Sequence, residues 1–485
     1  MEATLTVTGV ARQRRMMLIV SAGAFMANLD TCIVNVCLPT IARHFDTTPS
    51  TVSLVVLSYL LCEVSFLLLF GKLGERWGIT RVFLIGFTVF TAGSLLCGLT
   101  HTLPGLVAWR AMQGVGGSMI FAVMLAFPGV YLPERKRASA MGVLTLVSAL
   151  GVAVGPPVGG LLTTTLGWNW IFFVNIPIGI AAVIAGYFWL PRRHPACSDR
   201  RIDVTGAVLS FVALGSALLA LNQGHEWGWT SARILGLVAV AVCGGVAFVL
   251  RERRSTHPLL DLGLFRSRRF TLATTAFLLA MATTGGVMFI FPFYLQELRG
   301  FAPVAAGAIL MVNAVGQFAG PWSGRLANRY GARAVCGAGL SLSIVAFGLF
   351  CLLTDVSPLW FIVLALGLFG VSQGLNKAPN LSMALDDVPA AGKAQAGSVT
   401  SVARSLGLAL GIASFEAMFS GGITRAAKRD GVSLTTAQVP HALLHHGFTV
   451  AFIFGVVISI AALILTLRAG ADRAASRSGA PAHGR

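Results

Sequence analysis

Charge is what this sequence has least of. Only 11% of its 485 residues are Asp, Glu, Lys or Arg, against about 25% in a soluble domain. A large soluble core does not explain that gap. Hydrophobic residues make up 55% and the mean hydropathy is +0.79, so most of the chain is expected to be solvated by lipid. Signatures of bond-making chemistry are also missing. There is no GxxxxGKS or GxxxxGKT run and no HExxH, so an ATP motor or zinc hydrolase within this chain has no support. No catalytic constellation is visible, so an enzyme is not expected, and neither is a cofactor.

The cysteines give no metal site. Of eight, Cys32, Cys37, Cys62, Cys97, Cys243, Cys336 and Cys351 lie inside apolar runs, where a thiol is a small packing group, and only Cys197 lies clearly in a loop. His441, His445 and His446 are spaced closely enough to consider a metal, but at the edge of an outer loop an interfacial or solvated role is preferred. A cleavable signal is missing too. Arg12, Arg14 and Arg15 precede an apolar run that is too long for a signal core and lacks a small-residue cleavage site, so it is expected to remain as the first span.

What is present is a series of apolar runs long enough to cross a bilayer, which takes about 20 residues. The candidates are 16–39, 51–72, 81–100, 104–130, 138–163, 170–190, 204–222, 233–250, 270–296, 303–324, 333–354, 357–383, 394–419 and 447–468. The fold class is therefore an all-α membrane protein of fourteen transmembrane helices. The net charge of +18 raises the question of a nucleic-acid partner. That reading is rejected, because the basic residues fall in short clusters between apolar runs, as the positive-inside rule produces. With the N-terminus in the cytoplasm, 27 Lys and Arg lie in cytoplasmic segments, including Arg135 to Arg137, Arg192-Arg193 and Arg251 to Arg269. Six lie outside, at Arg43, Arg233, Arg299, Arg425, Lys428 and Arg429. The expectation is a multi-pass protein of the cell (inner) membrane with both termini cytoplasmic.

One eight-residue pattern occurs twice. Gly71-Lys72-Leu73-Gly74-Glu75-Arg76-Trp77-Gly78 follows span 2, and Gly324-Arg325-Leu326-Ala327-Asn328-Arg329-Tyr330-Gly331 follows span 10. Both read G-x-L-x-x-R-aromatic-G, eight spans apart. The simplest parsing is a cytoplasmic N-terminus (1–15), a six-helix bundle (16–190), a linker with two inserted helices (191–269), a second six-helix bundle (270–468) and a disordered cytoplasmic tail (469–485). Two pseudo-symmetric bundles with a site between them are a transporter architecture. The polar segment 420–446 is expected to form an outer hairpin or lid.

Embedded charges are the candidate site, since a carboxylate at mid-span costs about 2.5–3.5 kcal/mol on insertion scales. Asp30 lies mid-span in Leu29-Asp30-Thr31-Cys32-Ile33-Val34-Asn35-Val36-Cys37-Leu38-Pro39. It is read as a protonatable site or a carboxylate that meets a cationic substrate. Asn35, about 140° round the helix, need not share its face. Glu63 is mid-span in span 2 and Arg110 is inside span 4, a pairing that could tune a carboxylate to exchange protons. Which carboxylate faces Arg110 is not legible. Lys377, Arg404 and Glu416 are embedded in the second half, with Glu416 near the outer end of span 13, where solvent could reach it. In span 5, Gly151, Gly155, Pro156, Gly159 and Gly160 combine small residues four apart with a helix-kinking proline, which suits a hinge or seal. In the first loop motif, Gly71 and Gly78 allow a tight turn, and Glu75 and Arg76 could pair with the opposing half or with a helix end when the inner side is closed.

These residues resemble the major facilitator superfamily, and within it the fourteen-span drug:proton antiporters, over nearly the whole chain. The span 1 run is similar to that family's L-D-x-T-I-V-N-V-A-L-P signature, with Cys32 and Cys37 as departures. Gly71 to Arg81 resembles the loop G-x-L-A-D-R-x-G-R-K, with Glu75 in place of Asp and Ile79-Thr80 in place of the basic pair. Arg110-Ala111-Met112-Gln113-Gly114-Val115-Gly116 resembles the R-x-x-Q-G-x-G motif associated with proton coupling, and Gly151 to Gly160 resembles the antiporter motif of exporters. Trp168 to Pro177, and Ala396-Gly397 through Arg404 to Gly411, also fit. The resemblance implies export of hydrophobic or cationic drugs, antibiotics or biocides in exchange for protons by alternating access. Asp30, Glu63, Arg110, Arg404 and Glu416 would serve protons or substrate. Gly71, Glu75, Arg76, Gly78 and Arg81 would form the inner gate. The expected partners are a small-molecule substrate, protons and the lipid bilayer, for a monomer that binds no nucleic acid. The rival is a proton-coupled importer of a small nutrient, against which the span 5 run argues.

Overall fold

A computed structural model describes residues 9–191, 203–255, 260, 262–386, 388, 393–431 and 440–478. Arg192-Arg193 and Cys197 lie outside the described residues. Fourteen helices among them are long and apolar enough to cross a membrane. They are span 1 (Val10–His44), span 2 (Pro49–Trp77), span 3 (Ile79–Leu99), span 4 (Leu103–Tyr131), span 5 (Glu134–Thr165), span 6 (Trp170–Trp189) and span 7 (Val204–Trp227). Then come span 8 (Ala232–Arg254), span 9 (Arg268–Leu298), span 10 (Pro303–Tyr330), span 11 (Ala332–Cys351), span 12 (Leu359–Leu385), span 13 (Gln395–Asp430) and span 14 (His441–Ala469). In lipid every backbone amide needs an internal partner, which only a helix provides within one segment.

Helix starts follow local chemistry. Thr48 caps span 2 by accepting from the Thr51 amide at 3.2 Å, with Pro49 as the first helical residue. Ser231 and Ser267 cap spans 8 and 9 in the same way, each accepting a backbone N–H at 3.3 Å. The repeated loop motif closes on a left-handed glycine in both copies: Gly78 has φ 91° and Gly331 has φ 88°. A side chain at either position would be strained, so the pattern records a backbone requirement and not a loose loop.

Helix pairing repeats with a shift of eight spans. Span 1 packs on 5 as 9 packs on 13, span 2 on 4 as 10 on 12, and span 3 on 6 as 11 on 14. The two sets of six meet through span 5 against 10 and span 2 against 13, which the same shift interconverts. Span 7 packs against both span 2 and span 13. Span 8 packs on span 7 and exposes Leu235, Val242 and Val246.

Small residues set the closest approaches. Gly151, Gly155 and Gly159 lie against Phe25, Cys32 and Ile33 of span 1, where a β-carbon would collide. Gly407 and Gly411 do the same against Leu278 and Ala282 of span 9. The second pair of spans is thus closed by glycines as the first is.

Two expectations at the chain's end change. The segment 420–446 is not a hairpin where it is described: one helix carries on through Arg425, Lys428 and Arg429 to Asp430, and the next begins at His441, with 432–439 outside the described residues. Apolar span length alone misses such overhanging turns, because their residues are polar. The final helix is continuous to Ser478, past the start of the tail expected at 469.

Candidate functional site

Both ends of the helical bundle can be named from the chain itself. One, here the basic face, carries the start of span 1, the turns at Gly78 and Gly331 and the end of span 14. The opposite face carries the 44–49 and 299–303 turns. A cavity of about 2090 Å³ lies between the two sets of six spans. Its wall runs from Asn28, Thr31, Cys32 and Asn35 at mid-span down to Gly71, Glu75 and Arg76 at the basic face. No described residue of the inserted spans 7 and 8 lines it.

The opposite end is shut. Gly160 packs directly on the Pro303 carbonyl, and Gly307 on that of Pro156. Gln296 Nε2 donates to the Val36 carbonyl at 2.7 Å, linking spans 9 and 1. Arg43 and Glu297 approach to 3.5 Å at the rim. The run Gly151 to Gly160 therefore has two duties. Its first glycines seat span 5 on span 1, and Pro156 and Gly160 form the contact between the two halves.

Asp30 pairs with Arg110, and Glu63 does not. Arg110 Nη1 donates to Asp30 Oδ2 at 2.7 Å, and both side chains are fully buried. The other carboxylate oxygen accepts from Gln113 Nε2 at 3.0 Å and Asn175 Nδ2 at 2.9 Å. Both amides also reach Ser94 Oγ, at 3.2 and 3.1 Å. Arg110 further donates to Gln113 Oε1 and the Val55 carbonyl, and its guanidinium sits 4.4 Å from the Tyr59 ring centre. A charge pair this deep survives only when further hydrogen bonds offset its desolvation. Spans 1, 2, 3, 4 and 6 supply those bonds or contacts. Asp30 does not line the cavity, whereas Thr31, Cys32 and Asn35 on the other side of span 1 do. The geometry thus favours an internal charge site over a carboxylate that touches substrate.

Glu63 faces the second half of the chain instead. Its Oε1 accepts from Arg404 Nη2 at 3.1 Å and from Ser405 Oγ at 2.6 Å. Arg404 lines the cavity, is 32% exposed and stacks 5.2 Å from the Phe121 ring centre. This ion pair crosses between spans 2 and 13.

Glu416 is fully buried, so the solvated reading is overturned. It accepts from Ser420 Oγ at 2.6 Å and from Asn222 Nδ2 of span 7 at 3.3 Å. Asn222 also donates to Ser53 of span 2 at 2.7 Å. Glu226 of span 7 accepts from Thr48 and Thr51. Span 7 thereby ties span 2 to span 13 near the opposite face, away from the cavity.

In the loop motif, Gly71, Glu75 and Arg76 line the cavity mouth and Gly78 makes the turn. Arg81 is exposed and outside the cavity wall. His445 approaches the Leu353 carbonyl at 3.1 Å, and His441 and His446 are exposed. Among the described residues no three His, Cys, Asp or Glu side chains gather as metal ligands.

A cavity open at one end of a multi-pass bundle and sealed at the other by contacts between two repeated halves belongs to a membrane transporter of small molecules. The family follows from comparison with known proteins. Residues 20–412 match the Major Facilitator Superfamily, and the chain belongs to it. It is 33% identical to the riboflavin transporter RibZ of Clostridioides difficile, over 84% of this chain and 88% of that protein. It is 32% identical to the tetracenomycin C resistance and export protein of Streptomyces glaucescens, over 82% of this chain and 74% of the other. Among solved structures, a bacterial homologue of the human lysosomal transporter Spinster, inward-facing and unoccupied, superposes with a TM-score of 0.66 at 15% identity. That match covers 95% of this chain and 97% of the other.

Proposed function

We propose that the protein is a proton-driven exporter of small organic compounds, seen here open to the cytoplasm. The observation that carries the proposal is the caged Asp30–Arg110 pair on the back of a cavity-lining helix. A proton on Asp30 cancels its charge and leaves Arg110 without its counter-ion. The cage must then rearrange, and span 1 presents Thr31, Cys32 and Asn35 to the cavity, so the proton's effect reaches the substrate path without sharing it. With Asp30 ionised and paired, the cavity open to the basic face loads substrate. Protonation from the opposite side accompanies release there.

Several observations support this direction. The excess of Lys and Arg makes the basic face cytoplasmic. Pro156 and Gly160 of the exporter-like run make the outer seal, and the Streptomyces relative bears an export name. Relatives named for riboflavin and for an antibiotic leave the compound itself open. Gly160 of span 5 and Gly307 of span 10 are the close contacts between the halves that outward opening would part, with Glu75 and Arg76 at the inner gate. Everted membrane vesicles test the proposal. Energising them with a proton gradient, acid inside, should drive substrate accumulation, and Asp30→Asn should abolish it at equal expression. Uptake by whole cells without accumulation in everted vesicles would establish the importer instead.

A further inference from the structure

We infer that Lys377 is the cavity's anion-recognition group and that the transported compound is an amphipathic aromatic bearing a carboxylate, phenolate or similar anionic oxygen. This rests on the cavity being the transport path, as proposed above, and names the substrate class.

The charge balance of the wall carries the inference. Among described residues, the charged side chains lining the cavity are Lys72, Glu75, Arg76, Lys377 and Arg404, one acid among four bases. The first three stand at the mouth. Deeper in, Arg404 is already neutralised by Glu63 at 3.1 Å. Asp30 is matched by Arg110 and lies behind the wall. Lys377 differs from both. Its Nζ donates to the neutral Gln317 Oε1 at 2.6 Å, and no carboxylate among the described residues lies within ion-pair reach of it. The deep cavity therefore holds one uncompensated positive charge.

An ammonium has three hydrogens to donate, and Gln317 takes one. The others are available to a ligand at a place where helical regularity is suspended, since the helix of span 10 tightens at Gln317–Ala319 beside the site. Intramembrane charges of this kind are tolerated where they line a cavity and mark a substrate path. The wall around it is apolar and deformable: Phe121, Phe277, Met281 and Met288 line the same cavity. Aromatic and thioether side chains suit a flat ring system. A lipophilic cation would bring its charge toward Lys377 with no carboxylate there to receive it, so the site selects against cations as well as for anions.

Two xanthene dyes of similar size and opposite charge test this: fluorescein, an anion, and rhodamine 123, a cation. Fluorescence anisotropy with the purified full-length protein in detergent reads binding without requiring transport. The wild type should bind fluorescein at least about tenfold more tightly than rhodamine 123. Lys377→Gln should lose about that factor for fluorescein alone, Lys377→Arg should keep the preference, and Lys377→Glu should reverse it. Reversal is a gain that a misfolded protein cannot give. Equal affinity for the two dyes, no binding of fluorescein, or unchanged fluorescein binding by Lys377→Gln would overturn the inference. The export reading fails separately, through vesicles that bind fluorescein with the expected preference yet do not accumulate it.

Discussion

Two ion pairs of this transporter, Asp30–Arg110 and Glu63–Arg404, are built for different work. Asp30–Arg110 lies wholly within the first six spans, with no exposed atom and with hydrogen bonds from Gln113 and Asn175 closing the cage. Glu63–Arg404 joins the first set of spans to the second, and its arginine faces the cavity. The first pair can change only by changing its charge, because nothing in a rigid-body motion of the halves pulls it apart. The second must stretch or break whenever spans 2 and 13 separate. One is suited to chemistry and the other to mechanics, although both are a carboxylate on an arginine at about 3 Å.

That comparison can be broken most severely at Asp30. Removing one member of a buried pair costs about 3–5 kcal/mol, or about 10²–10⁴ in an equilibrium constant. Asp30→Asn should therefore abolish proton-driven accumulation in everted vesicles while leaving membrane insertion intact. Unchanged transport at equal expression would remove Asp30 from the mechanism. A second, smaller effect is expected at the seal. Gly160→Leu forces a side chain into the Pro303 carbonyl, and overpacking of this kind costs about 1–3 kcal/mol. Thiol labelling of a cysteine introduced at Val36 should then rise from the outer side, and a labelling rate equal to that of the parent would show that the contact does not hold the halves.

Glu63 sharpens the contrast. Its partner is partly exposed, so the pair is discounted for solvent screening, and Glu63→Gln should shift the open–closed balance by about tenfold or less. The charge swap Glu63→Arg with Arg404→Glu should recover most of it in the same labelling assay. The equivalent swap at Asp30 and Arg110 should not recover transport, because its cage is built around one orientation. Recovery at both sites would erase the distinction. The smallest effect belongs to the insert. Asn222→Ala removes two hydrogen bonds that bridge spans 2 and 13, each worth about 0.5–1.5 kcal/mol, for a fall of about 2–4 °C in Tm by thermal-shift assay. No change would mean that the bridge is idle.

The sequence made the fourteen spans and the eight-span repeat legible because both rest on local pattern. Arg110 and Gln113 are three apart and share a helix face, which periodicity alone reveals. Asn175 stood within a recognised run without a role until its amide was seen on Asp30. The choice between Asp30 and Glu63 as partner of Arg110 was not legible, because it depends on how spans rotate about their axes when packed. Glu63 finds its partner 341 residues away, a distance at which helical period says nothing. Ser94 and Tyr59 carry no sequence signal that separates them from ordinary helix packing. Asn222, Gln223 and Glu226 did leave one: amides and an acid at one end of an otherwise apolar inserted span.

The bridge through Asn222 has a consequence for the cycle as a whole. A two-body rocker has one relative coordinate, but a third body hydrogen-bonded to both makes its own choice of partner. In the cycle proposed above, outward opening would part span 7 either from the cap residue Thr48 and Ser50, Thr51 and Ser53 of span 2 or from Glu416 of span 13, and span 7 would travel with the half it retains. Span 8, whose apolar side chains face outward, rides with it. In that cycle the surrounding lipid would bear on the two halves through a pair of helices of which no described residue lines the cavity.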